Sequence, residues 1–74
     1  MRDEIKMIMA RVFSVKQESI TDDIAYGINE NWDSIHHLNL IVELESFYHI
    51  IFEPEEIQSM ITLDKIIDCI KSKQ

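Results

Sequence analysis

One glycine, one proline and one cysteine stand among 74 residues, and each scarcity excludes something. With Gly27 and Pro54 alone of their kind, the chain has no flexible linker and no internal boundary, and no repeat or low-complexity segment divides it. Residues 1–74 are therefore expected to form one domain, near the size at which a single core barely suffices. One cysteine excludes disulfides and a cysteine-based zinc cluster, so stability must come from packing. Cys69 lies at the flank of a helical pattern with nothing basic placed to lower its pKa, which suits a small packed residue better than a reactive thiol. No apolar run approaches the ~18 residues of a membrane span, and Met1 leads into Arg2, Asp3 and Glu4, so a cytoplasmic, monomeric protein is expected. Basic residues are also few. Seven of them against fourteen acids leave a formal charge of −7. Scattered as they are, they argue against nucleic acid as a partner.

What is present is helical periodicity. Ile5, Ile8, Met9 and Val12 fall at i, i+3, i+4 and i+7 and predict a helix from Arg2 to Phe13. A long connection, Ser14 to Asp33, follows; so long an unstructured segment is unusual in a small domain, so Ile20, Ile24, Tyr26 and Ile28 are expected to pin it to the core. A second helix is expected from Ser34 to about His49. Pro54 suits the first turn of a short third helix ending near Met60, with Glu55 and Glu56 complementing its dipole. Thr62 caps a fourth, in which Leu63, Ile66, Ile67 and Ile70 make one stripe. Ile50-Ile51-Phe52 is locally strand-like but too short to compete. The fold class is all-α.

The second helix carries more apolar residues than one face needs. Leu40, Leu44, Phe47 and Ile51 make one row; Ile35, Leu38, Ile41 and Val42 make another. Either the helix is central and buried on two sides, or one row stays exposed for a partner.

The segment Trp32-Asp33-Ser34-Ile35 places a serine hydroxyl where a polar, acidic stretch gives way to this apolar helix. Two readings compete. Ser34 can cap the helix with its side-chain oxygen, the commoner role for such a residue. Alternatively the oxygen can carry a phosphate ester, which the free N–H groups and the positive end of the helix dipole would favour.

At this point the sequence resembles the acyl carrier proteins, carriers with a phosphopantetheine attachment site. The resemblance runs through Asp33-Ser34-Ile35, the segment from Leu38 to Glu45, the pair Phe47-Tyr48, the segment from Ile51 to Ile57, and Thr62-Leu63 leading into Ile66-Ile67. It implies an acyl-carrier-like four-helix bundle, three longer helices and one short, with a long first loop. It also implies covalent attachment of 4'-phosphopantetheine, donated by coenzyme A, to Ser34 by a phosphopantetheinyl transferase. Such a chain is no enzyme itself; its arm holds acyl groups as thioesters for acyl-activating and acyl-transferring partners. By the same resemblance Asp33 helps the transferase recognise the site, and Ile35, Leu38 and Val42 form a docking ridge.

The chain departs from that pattern in places. Asn31 stands where glycine is frequent, a tolerable exchange because asparagine also visits left-handed conformations. Trp32 is bulky, either packing beside the arm or anchoring the loop through a ring with a polar N–H. His36, His37, Asn39 and Ser46 stand among the acids of the second helix, with Glu43 and Glu45 remaining, which points to dedicated partners in a specialised pathway rather than general fatty acid elongation. Rival chemistry is poorly supplied. His36 and His37 point to different faces and His49 lies more than three turns from the first, so no metal site is expected. A Ser34–His37 hydrolase would lack a glycine-flanked elbow and an oxyanion hole. The remaining alternative is a small helical interaction or regulatory module without a prosthetic group.

Overall fold

The apolar spacing of the N-terminal segment produces helix α1 (Arg2–Phe13) in the computed structural model, which describes residues 1–28 and 31–74. After it come a single 3-10 turn (Gln17–Ser19) and helices α2 (Ser34–Tyr48), α3 (Pro54–Ser59) and α4 (Leu63–Lys73). The all-α helical bundle expected from the sequence is thus the observed architecture, and no strand occurs among the described residues. Residues 29 and 30 of the long connection lie outside the description. Among the described residues, no helix is long and apolar enough to cross a membrane.

Local chemistry accounts for most element ends. Helices α1 and α2 both stop at a left-handed residue, Ser14 (φ 58°) and His49 (φ 57°), which lets following N–H groups reach back to the last turn. Val15 N donates to Ala10 O at 3.0 Å, and Ile50 N to Glu45 O at 3.2 Å. Beyond α2, Phe52 N donates to a carboxylate oxygen of Glu45 at 3.0 Å, steering the chain toward α3. Pro54 opens α3, while Glu53 N donates to Glu56 Oε1 at 2.7 Å. Thr62 caps α4 as expected, its hydroxyl accepting from Lys65 N at 3.1 Å.

The core lies where α1, α2 and α4 meet. Ile5, Ile8 and Met9 bury against Leu40, Ile41 and Leu44 from α2 and Leu63, Ile66 and Ile70 from α4. Val12 is only half-buried; Ala10 and Phe13 complete the α1 stripe in its place. At one edge the Tyr48 hydroxyl donates to Glu4 Oε1 at 3.1 Å, joining α2 to α1. Burial, reinforced by that carboxylate, pushes the phenol up to about 12.

The connection is pinned by fewer residues than its apolar content suggests. Ile20 and Ile24 are buried as expected, and Trp32 is buried with them. Ile28, by contrast, is 85% exposed and pins nothing. Tyr26 is partly exposed, but its ring meets those of Trp32 and His37 edge-on. A backbone clasp substitutes for the missing side-chain anchors: Tyr26 N donates to Ile61 O at 2.9 Å, beside a single bridge between Ala25 and Thr62. Gly27, at φ 82°, supplies the left-handed turn that follows.

The apolar rows of α2 also divide differently from their sequence pattern. Leu40 and Leu44 are buried, but Phe47 and Ile51 of the same row are exposed, and Ile41 of the other row is buried. This separation predicts unequal mutational costs. In urea denaturation Leu44→Ala should lose about 2–5 kcal/mol, whereas Ile51→Ala should stay within about 0.5 kcal/mol of wild type. Comparable losses at both positions would contradict the observed burial.

Candidate functional site

Helix α2 begins one residue earlier than a serine cap would require. Asp33 has extended backbone (φ −103°, ψ −173°), and its carboxylate accepts from His36 N at 2.9 Å, so Asp33 is the N-cap. The capping role weighed for Ser34 is corrected accordingly. Aspartate satisfies the free N–H groups of the first turn as well as serine does and adds a charge that suits the helix dipole. The His36 ring reinforces it, Nδ1–H donating to the same carboxylate oxygen at 2.8 Å. These two donors, the backbone N–H first, hold the Asp33 carboxyl below the usual carboxylate range.

Relieved of capping, Ser34 is the first residue of α2. Its side chain is exposed, and among the described residues its hydroxyl has no hydrogen-bond partner. It borders a cleft of about 340 Å³ whose apolar lining comes from Tyr26, Leu38, Ile57 and Ile61, with Gln58 and His37 completing it.

His37 is the functional neighbour that sequence reasoning misplaced. It does not share the outer face of α2; only 8% of it is exposed. Trp32 Nε1–H donates to its Nδ1 at 3.0 Å, and its Nε2–H donates to the Ile57 carbonyl at 2.9 Å. One neutral imidazole therefore links the end of the connection, α2 and α3. Removing it would strand buried polar groups at a cost of about 1–3 kcal/mol each. With both ring nitrogens engaged, His37 is not placed to activate Ser34. Trp32 anchors the loop, the second of the roles weighed for it. Its polar N–H is turned inward to His37, and its ring packs 5.6 Å from that of Phe13.

Of the residues expected to form a docking ridge, Ile35, Leu38 and Val42 lie at i, i+3 and i+7 and are 68%, 59% and 62% exposed. The fold thus leaves that part of the surplus row uncovered. The acids near it are less available than the sequence suggested. Glu45 accepts the Phe52 N–H, and Glu43 faces Arg11 at 3.8 Å. Among the described residues no group of three or more His, Cys, Asp or Glu is placed to hold a metal ion. Cys69, half-buried on α4, has its thiol 3.7 Å from Glu56. Burial and that carboxylate push the thiol up, outweighing the opposing influence of Lys73, whose ammonium pairs with Glu56 at 2.8 Å.

Beside this geometry, the sequence has relatives among known proteins. It is 32% identical over 71 residues to the "Acyl carrier protein" of Buchnera aphidicola subsp. Acyrthosiphon pisum (strain 5A). The alignment covers 96% of this chain and 89% of that relative. The proteins of the same name from strains Tuc7 and APS align with the same identity and coverage. No protein-family model matches the chain.

The capping geometry has a pH signature. Because the folded Asp33 carboxyl lies below its unfolded value of about 3.9, its stabilisation is complete above that pH and is lost as pH falls through the folded value. Asp33→Asn should therefore lower the thermal midpoint at pH 7 and flatten its fall below about pH 4. Some slope should persist, since Asp22 and Glu56 are lowered too. Parallel midpoint-against-pH curves for the two proteins would show that Asp33 is not coupled to folding.

Proposed function

This chain belongs to the acyl carrier protein family, and from that premise we propose that it carries acyl groups on a 4'-phosphopantetheine arm attached to Ser34. The observation that carries this reading is the combination at the start of α2. There a serine hydroxyl is exposed and free of partners among the described residues, Asp33 does the capping that would otherwise occupy it, and an apolar cleft lies alongside.

The residues present suit such a group. Ser34 Oγ is open to a phosphopantetheinyl transferase: the bond it would form to the pantetheine-side phosphorus of coenzyme A breaks the pyrophosphate link, releasing adenosine 3',5'-bisphosphate and the hydroxyl proton. Asp33 keeps the first turn intact whether or not the oxygen is esterified, because the cap does not use Ser34. Bound there, the group would supply a terminal thiol able to hold an acyl chain as a thioester. The chain itself performs no bond-making beyond offering the Ser34 oxygen, so it serves as one cytoplasmic carrier domain rather than as an enzyme. Tyr26, Leu38, Ile57 and Ile61 offer an apolar resting surface within reach of the attachment point.

Partners would be acyl-activating and acyl-transferring enzymes that grip Ile35, Leu38 and Val42 beside Ser34. Charge supports a dedicated set of them. The formal charge is −7, yet Glu43 and Glu45 are engaged within the fold and Asn39 and Ser46 are neutral. Electrostatic steering, which governs encounter rates and rejection of wrong partners, is correspondingly weak on this face. That pattern fits a specialised biosynthetic pathway better than general fatty acid elongation.

Two measurements test these assignments. Intact mass after co-expression with a broad-specificity phosphopantetheinyl transferase should show one arm per chain, absent in Ser34→Ala. An unmodified wild type would leave the interaction-module reading standing, and modification persisting in the variant would move the attachment site away from Ser34. Leu38→Ala should slow loading or transfer several-fold while leaving the urea midpoint nearly unchanged. A stability loss of about 2–5 kcal/mol would make Leu38 a core residue instead.

A further inference from the structure

The wall of the cleft beside Ser34 is the feature with the furthest consequence, given the carrier reading above. His37 is the least exposed of the residues lining it, and its ring lies 5.9 Å from that of Trp32 between centroids. Trp32 belongs to the packed core, together with the fully buried Leu40, Leu44 and Met60.

An aliphatic wall residue could rotate aside and let a chain pass inward. The His37 ring is held on both edges, by the Trp32 N–H at 3.0 Å and the Ile57 carbonyl at 2.9 Å. Displacing it would leave a buried indole N–H without its partner and would also break the part-buried bond to the Ile57 carbonyl. An acyl chain, having no donor or acceptor along its length, cannot replace either bond.

We infer that His37 is a specificity-determining residue: it keeps the acyl group in the surface cleft and restricts the sheltered cargo to apolar chains of short to medium length. Volume sets the limit. An apolar cavity of ~150 Å³ holds one benzene ring, so 340 Å³ has room for about two such rings, on the order of a dozen carbons. The thiol end of the arm must occupy part of that space. None of the lining residues carries a fixed charge, so a chain ending in a carboxylate finds no cation there.

The test attaches acyl-pantetheine arms of graded length to Ser34, using a broad-specificity transferase with acetyl-, butyryl-, hexanoyl-, octanoyl-, dodecanoyl- and hexadecanoyl-coenzyme A. Loading is verified by intact mass, and amide and indole shifts are followed by NMR. Shifts at Leu38, Ile57 and Ile61 should grow up to octanoyl and stay constant from dodecanoyl to hexadecanoyl, with the Trp32 indole resonance unmoved throughout. In His37→Leu the growth should continue to hexadecanoyl. Should that variant fail to fold, Trp32→Phe removes one of the two bonds while keeping a ring, and should lengthen the series in the same direction. Continued growth to hexadecanoyl in the wild type, or an unchanged plateau in a folded variant, overturns the role of His37. Failure of every arm to attach overturns the carrier reading and this inference together, which the mass distinguishes from failure of the inference alone.

Discussion

A neutral imidazole bonded at both nitrogens is the joint on which the arrangement around Ser34 depends. The chain has no disulfide, and its connection between α1 and α2 is held by few buried side chains, so the end of that connection needs a directional anchor. The bond from Trp32 to His37 fixes where the connection stops; the bond from His37 to the Ile57 carbonyl fixes how α3 sits beside α2. Apolar contacts alone would tolerate sliding, because dispersion and burial are weakly directional. Two hydrogen bonds with little access to solvent are not, since each broken one leaves an unsatisfied group.

The acids of α2 show how folding redistributes charge that composition only counts. Glu45 terminates the helix region by accepting the Phe52 N–H, and Asp33 begins it by accepting from His36. Both carboxylates serve the ends of the helix on which the exposed ridge sits. Elsewhere Asp22 and Asp64 pair with Arg2, the former also with Lys6 at 2.7 Å, tying the connection and α4 to α1. In a chain with a formal charge of −7, Asp33 and Glu45 are thus tied to the ends of α2, and Glu43 is paired with Arg11.

Much of the fold was legible because helical spacing and cap chemistry are local. The stripe of α1, the proline opening α3 and the threonine capping α4 appear where they were expected. The ends of α1 and α2 were legible to within a residue, at Phe13 and near His49, although Ser14 and His49 adopt a left-handed conformation usually marked by glycine. At the candidate site, the place of Ser34 was legible but its cap was not: Asp33 and Ser34 are both good capping residues, and only geometry decides between adjacent ones. His37 was misplaced for a different reason. A histidine among apolar residues can face either way, and its partner carbonyl on Ile57 lies twenty positions away, beyond any local pattern. Ile28 and Phe47 show the converse, apolar residues that the fold leaves exposed.

The setting of Cys69 has a consequence for fidelity. Partial burial and Glu56 push its thiol up, away from ionisation, and it is thiolates that attack thioesters and disulfides. A carrier with a second ionised sulfur would be exposed to internal exchange, its cargo migrating to a sulfur that no partner enzyme serves. By holding its one native sulfhydryl in the unreactive form, the fold would leave the thiol of the proposed arm without an internal competitor.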